Sequence, residues 1–307
     1  MTSIRASVVV PVKNGAAYLP GLLAAVEGQD CGGGLETVVV DSGSTDGSIE
    51  LLAGSSVRLL RIPPRSFDHG ETRNLAAREA RGESVVFLSQ DALPAERGFV
   101  RALVEVLEGE PRLAGAFGRQ LPRPEADPLT RRDLARWVTS DEAPRTVFTP
   151  QGYGSLPPLE RYRLAAFDNV ASAVRRAVLL AHPFPASRFG EDVEWGARML
   201  HLGFGLAYVP SAAVIHSHRR TARALFRRNY LGHRLLLRLF GVRTVPDLPR
   251  LVRAVAGSIA TDLLTLARAG APPSLWVRAP GQAAAATYGQ YRGARDEAAG
   301  RPYPEWA

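Results

Sequence analysis

Residues 7–12, SVVVPV, and residues 36–41, ETVVVD, are short β-branched apolar runs, and polar residues follow each at once. Between them Ala16–Glu27 places Tyr18, Leu22, Leu23 and Val26 at helical spacing, which predicts strand, helix, strand. The alternation continues downstream. A short helix runs through Leu52 with Ser44 or Asp46 as its cap. Val57–Ile62 reads as a third strand, Glu71–Ala80 as a helix, Ser84–Leu88 as a fourth strand and Ala95–Leu107 as a further helix. Strands alternating with helices form parallel βαβ units, so the expected class is α/β: a Rossmann-like, doubly wound, mostly parallel sheet with helices on both faces. Ligands of such sheets sit beyond the carboxyl ends of the strands. The polar clusters Lys13-Asn14-Gly15, Asp41-Ser42-Gly43-Ser44 and Ser89-Gln90-Asp91 fall there.

From Gln120 to Pro158 the chain is rich in Pro and Arg, with a helix expected at Leu129–Val138; it reads either as a substrate-side excursion or as a surface loop. Order returns at Ala165–Arg175, Phe189–Leu202 and Ala207–Ile215. From His216 the pattern is helical, with Pro246, Pro249, Pro272, Pro273 and Pro280 as breaks. The sequence therefore divides into an α/β domain, 1–215, and a helical extension, 216–307. The chain has 38 basic and 30 acidic residues, net +8, and the extension holds 15 Arg against five acids, so the whole excess lies in it. At 46% hydrophobic and 22% charged, the composition excludes disordered and fibrous classes. The single cysteine, Cys31, excludes an internal disulfide and a cysteine-based zinc site. No apolar run reaches the roughly 20 residues of a membrane span. The first run breaks at Lys13, too early for a secretory signal, so a cytoplasmic protein is expected.

Five clusters carry candidate chemistry. Asp41 ends a strand and reads either as an acceptor for a nucleotide base or ribose, or as the cap of its own turn. Asp91, also at a strand end, offers hard oxygen ligands suited to Mg²⁺ or Mn²⁺. Phe67–Asn74, FDHGETRN, sets a glycine turn before a helix; with Arg73 it makes a corner compatible with an anion or nucleotide, or a solvated helix start. Glu191, Asp192 and Glu194 open another helix, where acids favour the helix dipole; one of them is alternatively a general base toward a substrate hydroxyl. His216 and His218, two apart, face opposite sides of an extended chain, so one metal ligand at most is expected from the pair.

In order and spacing, VVVPVKNG, VVVDSGSTDGS, FDHGETRN, VVFLSQDALP, FGEDVEW and VIHSH resemble the inverting family 2 glycosyltransferases of GT-A fold, over about residues 6–220. FDHGETRN with the Ser-Gln-Asp-Ala strand end is most similar to the bacterial rhamnosyltransferase branch, which uses dTDP-L-rhamnose and builds cell-surface polysaccharide. The resemblance implies a nucleotide-sugar donor contacted by Pro11, Val12, Asn14, Asp41 and Arg73, with His69 and Gln90 also on the substrate. It implies a Mg²⁺ or Mn²⁺ ion on Asp91 and His216, with Asp91 also at the diphosphate, and Asp192 as catalytic base. Glu191 and Trp195 would line the acceptor side. Many members carry Asp-X-Asp at the strand end where this chain has Ser89, so donor and metal binding rest on one carboxylate there.

The expected acceptor is a glycan or a polyprenyl-linked precursor. UDP- and GDP-sugars are the alternative donors, and two other classes compete. A sugar-phosphate nucleotidyltransferase would carry a glycine-rich basic phosphate loop, of which PVKNG is a poor version. A nucleic-acid binder would use the +10 tail, but those arginines alternate with Leu, Ala and Val at helical spacing, as in Ala222–Phe240. The preferred reading is no nucleic acid, and either peripheral contact with an anionic membrane at its inner face or a plain solvated helical face.

Overall fold

The structure is a computed structural model and describes residues 4–148, 152–187, 189–218 and 221–306. In chain order the elements are β1 (Ile4–Val12), α1 (Leu19–Glu27), β2 (Gly34–Asp41), α2 (Ser48–Ala53), β3 (Arg58–Arg61), α3 (His69–Glu79), β4 (Ser84–Leu88), β5 (Leu93–Pro94), α4 (Phe99–Gly109), β6 (Leu113–Leu121), α5 (Pro128–Ala135), β7 (Arg145–Val147), α6 (Pro158–Ala165), β8 (Ala171–Arg175), α7 (Arg176–Ala181), α8 (Glu191–His201), β9 (Gly205–Ile215), α9 (Ala222–Phe240), α10 (Leu248–Arg268) and α11 (Pro273–Ala298).

The strands form one sheet in the order β3-β2-β1-β4-β8-β6-β9-β5, with β7 on β9. The first four are parallel, as the alternation predicts. The inner ones carry apolar runs because both faces are covered, all five residues of β4 being buried, whereas β3 at the sheet edge, RLLR, is only partly buried. The second half is mixed. β8 enters antiparallel to β4 and β6, while β6 and β9 are parallel. Residues Val8, Val10, Val39, Val86 and Leu88 pack with Phe99, Leu103 and Leu107 of α4 in the main core. α4 starts four residues later than its periodicity suggests, because Leu93 and Pro94 pair with β9 and the Ala95 N–H donates to Ala213. α3 starts two residues earlier, because Asp68 caps it by accepting from the N–H groups of Gly70 and Glu71.

The pairings put the site-bearing ends on one edge. β1, β2 and β4 finish there, β8 begins there with Ala171 opposite Leu88, and β6 and β9 finish there with Leu121 opposite Ile215.

The chain forms two compact units, and they do not follow chain order. One comprises Met1–Arg123, Trp137–Gly154 and Leu164–His216; the other comprises Pro124–Arg136, Ser155–Arg163 and Ser217–Ala307. Two stretches from within 1–215 thus join the helical unit. In that unit Leu129 of α5 packs with Leu266 and Ala279. α11 meets α9 at Gly289 and Gly293, where a Cβ would fall 2.6 and 2.2 Å from the carbonyl oxygens of Phe226 and Tyr230. Pro249 and Pro272 stand at helix starts, but Pro280 lies inside α11 instead of ending it. α5 spans Pro128–Ala135 and stops three residues short of the expected helix.

Candidate active site

At the site edge, the loop after β1 is held by side chains from its two parallel neighbours. The N–H of Lys13 donates to Gln90 Oε1 (2.9 Å), that of Asn14 to Ser44 Oγ (2.8 Å), that of Gly15 to Ser48 Oγ (2.9 Å) and that of Ala16 to Asp46 Oδ2 (3.0 Å). Four successive N–H groups are therefore spent, so PVKNG is not a phosphate cradle. Of the two cap candidates of α2, Ser44 serves the β1 loop, while Asp46 serves both, its Oδ1 accepting from the N–H of Ser48, the first helical residue after Gly47 in the left-handed region (φ +90°). Gln90 closes the pair by donating to Lys13 O, and Asn14 Oδ1 accepts from the Thr45 N–H.

Asp41 is fully buried, and its carboxylate accepts from the N–H groups of Gly43 and Ser44. These are the bonds of a turn cap. Val12 is buried beside it, Pro11 is half-buried and Asn14 is exposed.

Arg73 does not face solvent. It is buried in α3, donates to His69 O and forms an ion pair with Glu191 Oε1 at 3.1 Å, both side chains being at most 7% exposed. Removing one member of such a pair strands the other charge and costs about 3–5 kcal/mol. The residue expected on the nucleoside and the residue expected on the acceptor thus pair with each other. Trp195, expected on the acceptor side, is fully buried, donates through Nε1 to His182 O and packs against Phe167 and Phe184. His69 is exposed, edge-on to Phe67.

Asp192, second residue of α8, is half-buried and remains at the edge. Its Oδ1 accepts from the Val193 N–H (2.8 Å) and its Oδ2 from the Asn169 N–H (3.1 Å). Burial, together with the adjacent carboxylates of Glu191 and Asp168, pushes its pKa well above the usual carboxylate range. Asn169 also donates through Nδ2 to Glu191.

Asp91 and His216 meet across the edge, with Oδ1 and Nε2 3.5 Å apart. β9 delivers His216 through an irregularity opposite Gly118. There the register jumps from Val209 to Ala213, and a Cβ on Gly118 would lie 2.1 Å from Ala212 O. β9 ends at Ile215, so the side-to-side alternation of a strand does not govern His216 and His218. Asp91, His216 and His218 each offer a ligand atom within 4.8 Å of the others. A carboxylate with imidazoles is a donor set compatible with a divalent transition ion.

The description Glycosyl transferase family 2 matches residues 7–176, more than half of the chain. The chain belongs to this family. Among curated proteins it is 28% identical over 240 residues to the O-antigen chain rhamnosyltransferase RfbN of Salmonella typhimurium, covering 74% of this chain and 71% of that one. It is also 28% identical over 214 residues to the O-antigen chain rhamnosyltransferase WbaN of Salmonella anatum, covering 64% of this chain and 60% of the relative. The sequence is thus most like the rhamnosyltransferase branch. Among solved structures, the mannosyltransferase PcManGT from Pyrobaculum calidifontis, in complex with GDP-Man and Mn²⁺, superposes with a TM-score of 0.62 at 19% identity, covering 97% of this chain and 88% of that one. The fold is GT-A with added C-terminal helices.

This family 2 glycosyltransferase has functional-edge residues that its sequence did not announce. Asp168 and Asn169 precede β8, and Gln120 lies near the end of β6. Gln120 donates to Asp168 Oδ2 (2.8 Å), and its Oε1 meets His216 Nδ1 (2.9 Å). A hydrogen-bonded path therefore runs from His216, which faces Asp91, through Gln120 to the Asp168–Asn169 loop that holds Asp192. Chemically, the edge offers a cation-compatible pole and a carboxylate of raised proton affinity, fixed relative to one another.

Proposed function

We propose that this glycosyltransferase is an inverting enzyme that moves L-rhamnose from dTDP-L-rhamnose to a hydroxyl of a cell-surface glycan or lipid-linked precursor. The observation that carries the reaction type is the carboxylate of Asp192, raised in proton affinity and joined by bonded contacts to the Asp91–His216 pole. The acceptor hydroxyl is a poor nucleophile, and a carboxylate that holds a proton strongly is a stronger base toward it. A single displacement needs one base and no enzyme nucleophile, and it inverts the anomeric centre. Asp91 and His216, with His218, would hold a Mg²⁺ or Mn²⁺ ion. When bound, that ion would offset the negative charge that develops on the leaving diphosphate. Gln90, Asn14 and Asp41 act on the donor side by fixing the loops that flank it. The choice of rhamnose and of a glycan acceptor is supported by the names of the two Salmonella relatives.

Ligands that bind the folded state raise its melting temperature by mass action. Melting with Mn²⁺ and each of dTDP-L-rhamnose, UDP-glucose and GDP-mannose is expected to give the largest rise with dTDP-L-rhamnose. A larger rise with either other donor would reassign the sugar nucleotide and leave the reaction type standing.

A second reading concerns the helical unit. Among the described residues, no helix is long and apolar enough to cross a membrane. α10 nonetheless leaves Leu248, Val252 and Leu264 at least half exposed, in one row with Ala256 and Ala260 at four-residue spacing. Its one acid, Asp262, is buried against Arg132, whereas Arg250, Arg253 and Arg268 are exposed. Arg250 pairs with the N-cap Asp247 beside Leu248, while Arg253 and Arg268 leave a cationic excess along the row. An apolar row with that excess complements an anionic bilayer, whereas a second copy would bring like charges together. The unit is therefore proposed as a peripheral anchor at the inner membrane face. The protein is expected to co-sediment with phosphatidylglycerol vesicles at low salt, and Leu248→Glu/Val252→Glu to release it. Equal binding to neutral phosphatidylcholine vesicles, or none to either, would defeat the reading.

A further inference from the structure

We infer that Gln120 and Asp168 are positioning residues that fix the His216 imidazole as the Nδ1–H tautomer and aim its Nε2 lone pair toward Asp91; the inference rests on the metal reading above. The argument is one of donors and acceptors. An ionised carboxylate only accepts hydrogen bonds, and Asp168 does so at both oxygens, Oδ1 from the Val170 N–H (2.9 Å) and Oδ2 from Gln120 Nε2 (2.8 Å) and the Trp137 indole (3.4 Å). The amide of Gln120 has one end of each kind, so holding its NH₂ at Asp168 turns its oxygen toward His216. That oxygen also only accepts. His216 Nδ1, 2.9 Å away, must therefore carry a proton; in the neutral imidazole, the form that ligates a metal, Nε2 is then the lone pair, 3.5 Å from a carboxylate oxygen of Asp91. Two acceptors facing each other at that distance are what a cation between them would join. Histidine ligands generally need a partner on the second nitrogen to set tautomer and ring angle. Here a side-chain amide takes that part, and a carboxylate one step further out decides which way the amide points. Gln120 is 7% exposed and His216 5%, so water does not readily substitute for either contact.

The polarity of the relay can be reversed without changing its shape. In Asp168→Asn the side-chain oxygen keeps the shorter, backbone-fixed bond from the Val170 N–H and gives up the 3.4 Å contact of the Trp137 indole, so its NH₂ takes the position of Oδ2 and donates to Gln120. The Gln120 oxygen then turns away from His216, its NH₂ faces Nδ1, and the imidazole proton moves to Nε2. In Gln120→Glu/Asp168→Asn the carboxylate and amide have changed places, so residue 120 accepts from Nδ1 again and the original tautomer returns.

Long-range ¹⁵N–¹H correlation spectra of the full metal-free chain read the tautomer directly, with His216 assigned among the six histidines by its loss in His216→Gln. The wild type is expected to show the Nδ1–H form, Asp168→Asn the Nε2–H form, and the double variant the Nδ1–H form again. Titration with Mn²⁺ alone, followed by the electron paramagnetic resonance of the free ion, is expected to show affinity reduced about 10–100-fold in Asp168→Asn and largely recovered in the double variant. An Nε2–H or doubly protonated His216 in the wild type, or a tautomer unmoved in Asp168→Asn, overturns the inference. The expected tautomers with no Mn²⁺ binding by the wild type would instead overturn the metal reading beneath it. Any loss of folding registers as lowered melting of the metal-free chain, and the recovering double variant separates that from a change of polarity.

Discussion

Asp192→Asn is expected to lower turnover about 10³-fold while leaving donor affinity within about threefold. Three decades correspond to about 4 kcal/mol of transition-state stabilisation, within the range ascribed to one positioned base. Asparagine keeps the shape of the side chain and can still accept one of the two backbone N–H bonds that hold it, from Asn169 or Val193. It cannot take a proton from a hydroxyl. The substitution also removes a negative charge from beside Glu191 and Asp168, so the lost turnover is not expected to come with a lowered melting temperature. The pH profile supplies the independent check. Because Asp192 holds its proton above the usual carboxylate range, turnover should fall on acidification at a higher pH than an ordinary carboxylate would give, as the base becomes protonated. That acid limb should be missing from the residual rate of Asp192→Asn. Turnover within tenfold of the wild type would remove Asp192 from the base role.

How much of this was legible in the sequence depended on whether a local pattern carried it. β1, β2 and β4 were readable because burial on both faces leaves continuous β-branched runs, and the parallel half of the sheet followed from their alternation with helices. The antiparallel entry of β8 was not, because its direction is set by where the chain re-enters the sheet, and ASAVR carries no mark of that. The Arg73–Glu191 pair joins residues 118 positions apart; each alone reads as an exposed charge at a helix start, and only the fold brings them together to cancel. The burial of Trp195 is different, since its signal was present: Trp195 and Met199 stand four apart, the spacing of a core stripe. Gln120 and Asp168 had no signal. A lone amide near a strand end and a lone acid in a loop become meaningful only when a histidine lies between two acceptors. The two histidines after β9 misled for a geometric reason, because the alternation argument holds only while the strand continues, and β9 ends at Ile215.

Asp91→Ala is expected to weaken Mn²⁺ affinity at least about 100-fold and donor affinity in the same measure, whereas wild-type turnover should vanish in excess chelator and return with Mn²⁺ or Mg²⁺. The two affinities should move together because this strand end provides one carboxylate where a pair is common, Ser89 standing in the other place. The remaining donors of the cluster, His216 and His218, are neutral as ligands, so Asp91 is its only negative charge, and losing it removes the attraction that draws a dication to the edge. The neighbouring loops give no compensation: the N–H groups of residues 13–16 are already bonded to Gln90, Ser44, Ser48 and Asp46, so a diphosphate deprived of its cation finds no backbone cradle to replace it. His216→Ala should do the same damage less severely. The double variant should be scarcely worse than Asp91→Ala alone, because two ligands of one ion cannot lose it twice. Additive losses would mean that the two side chains act separately. A wild type indifferent to chelator would exclude the ion from the reaction and leave the charge on the departing diphosphate to be met by residues such as Arg123, which already reaches the Asp91 carbonyl.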